Sequence, residues 1–172
     1  AAYALSADED PELEAYVDSV ISYMKAAQEE DGYLYTYRTI MGNDSHPWIG
    51  SKRWEKTHIL SHELYNLGHM FEAGVAYYQA THKRELLDVC IKAADLLCKD
   101  FGWEALQTFP GHQEVEIGLV KLYRVTGEKK YLDLAKFFLD ARGKCNLPGD
   151  ACNQSHKPVI EQDEAVGHSV RA

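Results

Sequence analysis

The stretch Val75-Ala76-Tyr77-Tyr78-Gln79-Ala80-Thr81-His82-Lys83-Arg84-Glu85-Leu86-Leu87-Asp88 returns 45 residues later as Val120-Lys121-Leu122-Tyr123-Arg124-Val125-Thr126-Gly127-Glu128-Lys129-Lys130-Tyr131-Leu132-Asp133. Valine falls on valine, Tyr78 on Tyr123, Thr81 on Thr126, Arg84 on Lys129 and Leu87-Asp88 on Leu132-Asp133; further along, Asp95 falls on Asp140. Each unit reads as a helix, a tight turn at the threonine and a returning helix. The period is too long for the tetratricopeptide unit of about 34 residues and fits helical hairpins of the solenoid or toroid type. Such hairpins cannot bury both faces alone, so neighbours must stack.

Working outward from this repeat, apolar residues at helical spacing predict further helices. Ile59, Leu60, Leu64, Leu67, Phe71, Val75 and Tyr78 mark one over residues 55–80, and Leu86, Leu87, Cys90, Ile91, Ala94 and Leu97 one over 84–98. Residues 114–125 and 129–141 form the second pair, with Gly127 as a left-handed cap between them. Nearer the start, Asp10 is a good N-cap and Pro11 suits the first helical position. They open a helix whose apolar face is Leu13, Val17, Val20, Ile21 and Met24, ending before the turn at Asp31-Gly32. Tyr33 to Tyr37 reads as a short strand or an extended rim. Residues 41–50, 101–111 and 144–158 read as loops, and a last helix starts near Val159.

The chain has 172 residues and a net charge of −9. That balance argues against a general nucleic-acid or anionic-membrane surface. A hydrophobic fraction of 45% marks a globular chain, and no run approaches the ~20 apolar residues of a membrane span. Residues 1–10 lack the basic and apolar regions of a signal peptide. Neither an initiator Met at the start nor a helix-stop signal near Ala172 is present, which predicts that residues 1–172 are part of a longer polypeptide.

Three Gly-His pairs stand out: Gly68-His69, Gly111-His112 and Gly167-His168. In a closed ring of hairpins the first helix of each pair lines the centre, and three histidines at equivalent places converge there. An open repeat would spread them along a concave surface, so a non-catalytic helical-repeat binding module is the competing reading. The densest polar cluster runs from Trp54 to His69. Within it, the spacings of His58, His62 and His69 put their side chains on one helical face. The zinc-peptidase motif fails, because Asn66 stands where its second His is required. Glu114 and Glu116 follow His112; both suit a first helical turn, and at most one of them can join His112. Cys90 fits an apolar face, and Cys145 and Cys152 flank a loop without the spacing of a zinc knuckle. Tyr33, Tyr35, Tyr37, Trp48, Trp54 and Trp103 gather in or beside loops, where aromatic faces suit sugar C–H surfaces.

Several segments, taken in order, resemble one family. They are Gln28 to Tyr37, His62 to Met70, Pro110-Gly111-His112-Gln113-Glu114-Val115-Glu116, Asn153 to Val159 and Glu161 to His168. Together they resemble the amino-terminal half of glycoside hydrolase family 127, the β-L-arabinofuranosidases and relatives. The resemblance implies an all-α fold, with the helical hairpins forming part of an (α/α)6 toroid. It implies hydrolysis of terminal β-L-arabinofuranosyl bonds with retention, by a zinc-bound Cys thiolate and a Glu acid/base, in place of the usual carboxylate pair. The family's zinc ligands are a Glu and three Cys, two of them adjacent. No Cys-Cys pair occurs here, so no catalytic residue and no zinc ligand is expected within residues 1–172, and the zinc belongs to the longer protein.

By motif, the sugar-binding residues are His69, His112 and His168, with His62 and Glu114 beside them. The expected partner is an arabinose-containing glycan, with neither nucleic acid nor membrane. A related glycosidase of different sugar specificity is the alternative within enzymes. A folded half ring exposes an apolar edge that suits self-association or domain swapping.

Overall fold

The structure, a computed structural model, describes residues 1–141. Cys145, Cys152, the helix expected near Val159, and His168 lie outside the described residues. Seven α-helices run in chain order among the described residues: α1 (Ala2–Ala7), α2 (Pro11–Ala27), α3 (Thr36–Met41), α4 (Glu63–Thr81), α5 (Glu85–Asp100), α6 (Glu114–Thr126) and α7 (Lys129–Ala141).

The repeat unit behaves as its sequence implies. Thr81 Oγ1 donates to the Tyr77 carbonyl at 2.8 Å and accepts from the Lys83 N–H at 3.2 Å. Thr126 Oγ1 repeats both bonds, to the Leu122 carbonyl at 2.8 Å and from the Glu128 N–H at 3.2 Å. The threonine hydroxyl thus serves the last helical carbonyls and the first turn donor at once. The next residue is left-handed in both hairpins, His82 at φ 60° and Gly127 at φ 77°.

The helices pack in two layers. α4 lies against α1 on one side and α6 on the other, while α5 lies against α2 and α7. The hairpins α1/α2, α4/α5 and α6/α7 are therefore three successive sectors, with first helices in one layer and second helices in the other. Leu64, Phe71, Leu87, Cys90, Ala94, Leu97, Leu119, Leu122 and Phe138, all fully buried, fill the space between layers. Each large apolar side chain buried there contributes about 1.5–3 kcal/mol. This arrangement is that of a partial helical toroid. None of the helices among the described residues is long and apolar enough to cross a membrane.

Three local expectations need correction. A helix precedes Asp10: α1 has no side-chain cap bond and no buried residue, so its support is the contact with α4. At 33–37 no strand forms: residues 33–35 carry no regular structure and α3 begins at Thr36. The helix predicted from residue 55 starts at Glu63; residues 53–60 are turns. Trp54 (φ 65°) and His62 (φ 55°) are left-handed at the two ends of that segment, which breaks any continuous helix. Leu60, read as a core position, is consequently 38% exposed.

Candidate functional site

The segment 54–62 is held by one carboxylate. Glu63, 1% exposed, accepts from the Tyr33 hydroxyl at 2.6 Å, the Ser61 hydroxyl at 2.6 Å and the Trp54 N–H at 3.2 Å. The Arg38 guanidinium stands 3.9 Å away and itself donates to the carbonyls of Ile49 and Gly50. A buried carboxylate needs this many donors to be tolerated. Burial first, and the Glu63 charge second, push the Tyr33 phenol well above its ordinary range. Tyr33 and Trp54 are accordingly core residues in edge contact at 5.1 Å, 1% and 4% exposed; they offer no face to a ligand.

Three glycines set the geometry of the histidines. A Cβ on Gly68 would lie 2.5 Å from the Glu114 carbonyl carbon, and one on Gly118 would lie 2.8 Å from the Gly68 carbonyl oxygen. Hence α4 and α6 cross backbone to backbone, which places His69 beside Glu114. Gly111 donates its N–H to the Thr57 carbonyl at 2.9 Å, and a Cβ there would lie 3.2 Å from the His58 carbonyl oxygen. That contact brings His112 to His62.

Four rings meet as a result. His62 and His112 stack with centroids 5.3 Å apart and planes 29° apart. Tyr65 lies between all three histidines, with centroids 5.7 Å from His62, 4.5 Å from His69 and 4.9 Å from His112. His62, His69 and His112 are exposed, and Tyr65 is half-buried, so the cluster is open to a ligand. His62 Nδ1 lies 2.6 Å from the Leu60 carbonyl. A carbonyl only accepts, so Nδ1 carries the proton and, in the neutral ring, Nε2 is left as an acceptor.

His69 Nδ1 lies 3.1 Å from Glu114 Oε1. Glu114 also lies beside Glu72, and Glu72 is paired with Lys121. Lys121 holds the Glu72 carboxyl below its ordinary range, while burial and then the neighbouring Glu72 push the Glu114 carboxyl up. The ligand atoms of His69, Glu72 and Glu114 lie within 4.8 Å of one another, a spacing a cation would accept. The Lys121 ammonium already supplies the positive charge there.

The structure thus brings together His62, His69, His112 and Glu114. His168 lies outside the described residues, so the third Gly-His pair does not enter this geometry. The Gly-His pairs are not equivalent in the repeat: a shift of 45 carries His69 onto Glu114, and convergence comes from the two glycine contacts. Glu114 joins His69 rather than His112. His58 sits in a turn ahead of α4, so it does not share a helical face with His62 and His69. Tyr65, Glu72 and Lys121 were not singled out by the sequence reading; Tyr65, His69 and Glu72 nevertheless fall at helical spacing on one face.

Among the described residues, the cysteines do not suit a zinc-bound thiolate. Cys90 is fully buried and donates to the Met70 carbonyl, and burial pushes its thiol far up. Cys98 donates to the Lys130 carbonyl at 3.7 Å, and burial pushes its thiol up to about 11. Both lie on α5 in the second layer, away from the histidines.

The model of the β-L-arabinofuranosidase GH127 catalytic domain matches residues 1–172. A non-reducing end β-L-arabinofuranosidase of Bifidobacterium longum subsp. longum is 38% identical over 99% of this chain and 29% of its own length. A solved GH127 β-arabinofuranosidase is 52% identical, covers 95% of this chain and 26% of its own, and superposes with a TM-score of 0.83. A GH127 β-L-arabinofuranosidase from Geobacillus stearothermophilus T6 is 43% identical over 85% of this chain and 22% of its own, with a TM-score of 0.75. The chain spans about a quarter of the length of these relatives. With its stacked hairpins and its family match over every residue, the chain belongs to the GH127 glycoside hydrolases.

Proposed function

We propose that residues 1–172 are the sugar-holding, amino-terminal part of a retaining β-L-arabinofuranosidase-like hydrolase acting on arabinose-containing glycans. The observation that carries this reading is the meeting of three exposed imidazoles around Tyr65. Neutral imidazoles both donate to and accept from hydroxyls, and an aromatic ring offers a face or edge to sugar C–H groups. His69, His112 and His62 are the hydroxyl-binding groups, Glu114 supports His69, and His168 joins them by motif.

Within this reading, the nucleophile, the acid/base and any zinc ligands come from the remainder of the longer protein. The relatives' greater length, the buried thiol of Cys90 and the raised, half-buried thiol of Cys98 favour that division. The gathering of His69 with His112 also favours a closed pocket over an open binding module.

The test uses a polypeptide of the relatives' full length that carries this chain. It is expected to hydrolyse an aryl β-L-arabinofuranoside with retention seen by NMR of the released sugar, while residues 1–172 alone are inactive. Equal activity in the isolated chain overturns the division of labour. Preference for another glycoside overturns the sugar assignment.

A further inference from the structure

We propose that Glu63 is a positioning residue, which closes the loop 54–61 on itself and so holds the His62 ring against His112, with His62 Nε2 presented as an acceptor to a hydroxyl of the bound sugar. The proposal rests on the sugar-binding reading for its last step only; the placement of the ring is a property of the protein alone.

The geometry begins with a strained backbone. His62 is left-handed at φ 55° and ψ 17°, a region that a residue with a Cβ enters at a cost. It is the N-cap of α4, yet its side chain makes no cap bond. Its ring turns back instead, with Nδ1 at 2.6 Å from the Leu60 carbonyl. Such a conformation persists only where the surroundings impose it, and the residues on either side do so. The Ser61 hydroxyl donates to Glu63 Oε2 at 2.6 Å, and the Ser61 carbonyl accepts from the Tyr35 hydroxyl at 2.8 Å. Ser61 and Glu63 are each 1% exposed, so water does not compete for the bond between them.

Glu63 holds the other end of the loop as well. Its Oε1 accepts from the Trp54 N–H at 3.2 Å and from the Tyr33 hydroxyl at 2.6 Å. One carboxyl group thus ties residue 54 to residue 61. Between them the Lys56 carbonyl accepts from the N–H groups of Ile59, Leu60 and Ser61 at 3.0, 2.9 and 3.1 Å, which fixes the Leu60 carbonyl that the His62 ring meets. The same loop carries the Thr57 carbonyl, which takes the Gly111 N–H at 2.9 Å and so brings His112 to His62. Both members of the stacked pair, with centroids 5.3 Å apart, therefore depend on Glu63. His69 does not: its place comes from the α4–α6 crossing at Gly68 and Gly118. Loosening the loop moves one part of the site and leaves the other.

Glu63→Ala is the direct substitution, and Ser61→Ala tests the same link with the loss of one hydroxyl, where Glu63→Ala does not fold. In the full-length polypeptide with selectively 15N-labelled histidine, at about pH 8, above the ordinary imidazole range, long-range 1H–15N NMR is expected to show His62 as the Nδ1–H tautomer in wild type. Ser61→Ala is expected to release it to a mixture while the His69 resonances stay in place, a contrast that general destabilisation would not produce. On an aryl β-L-arabinofuranoside, Ser61→Ala loses roughly 10- to 100-fold in kcat/KM, the scale of a group misplaced by about 1 Å. Added to His62→Ala, Ser61→Ala is expected to cost less than it does alone, since it acts through that ring.

An Nε2–H tautomer of His62 in wild type overturns the proposal, as does an unchanged tautomer in Ser61→Ala, a shift of His69 as large as that of His62, or additive losses in the double variant. If instead the tautomers follow expectation but L-arabinose leaves the His62 resonances unmoved, the sugar reading fails and the positioning of the ring stands.

Discussion

Two clusters in this molecule are built from the same parts, two carboxylates and one lysine, and each shifts one carboxyl in the opposite direction from the other. In the layer of second helices, at the seam with α4, Lys83 reaches both Glu14 and Asp18 at 2.5 Å, and the Tyr77 hydroxyl adds a bond to Asp18 at 2.5 Å. Bonds from Lys83 and then Tyr77 hold the Asp18 carboxyl below its usual range. On the histidine side, Lys121 reaches Glu72, and Glu114, more buried, is left to His69 and to Glu72 itself. Burial therefore wins at Glu114, and its carboxyl moves up. The first cluster is a clamp that ties α2 to α4. The second leaves one carboxyl without a cationic donor of its own and sets it beside a histidine. What separates scaffold from site is the reach of one ammonium group.

The hardest way to break the comparison is to part the helices that create the inner cluster. Gly68→Val, in the full-length polypeptide, forces α4 away from α6 and is expected to cost roughly 1–3 kcal/mol, read as a lower urea midpoint. It also separates His69 from Glu114, so kcat/KM should fall in the protein that remains folded. An unchanged midpoint would mean that the helix crossing does not set the spacing.

A smaller effect distinguishes the two clusters by the sign of their pH dependence. The folded pKa of Asp18 is lowered, so its stabilisation is fully present above the unfolded value near ~3.9 and is lost as pH falls through the folded value. Asp18→Asn should therefore lower Tm at neutral pH and flatten the acid-side decline. The folded pKa of Glu114 is raised, so its contribution is fully present below the unfolded value near ~4.3 and is lost as pH rises through the folded one. Glu114→Gln should remove a loss on the alkaline side of that window. Thermal melts from pH 3 to pH 8 would show shifts of opposite sense; parallel curves would refute the contrast.

The smallest effect lies in the turn that delivers Lys83. His82 holds the left-handed position that Gly127 holds in the next hairpin. His82→Gly relieves that strain and should gain about 0.5 kcal/mol or slightly more, glycine entropy offsetting part of it. A loss would show that the edge contact of His82 with Tyr78 at 6.3 Å outweighs the backbone strain.

Sequence and structure agree where chemistry is local. The threonine turn, the Asp10 cap, which accepts from the Leu13 N–H at 3.0 Å, and the bounds of α7 were all legible, because each depends on residues a few positions apart. α1 was not legible: six residues without a cap are marginal alone, and α4 is what holds them. Tyr33 and Trp54 looked like ligand platforms because they flank turns; their burial follows from Glu63, a partner about 30 and 9 residues away. His69 and His112 were found by a repeated dipeptide. Their meeting depends on two backbone approaches that no local spacing encodes. Glu114 was found as well, but its partner could not be read, since α4 and α6 meet only through the tertiary fold.

The approach of bare backbones at Gly68 and Gly118 has one more consequence. The distance between these two helices is fixed by main-chain atoms, so it does not depend on the volume of any side chain that lines the opening. Residues at the lip are thus at liberty to change, altering what the opening admits, while the imidazoles stay where the crossing puts them. A scaffold of this kind can diversify its ligands without rebuilding its pocket.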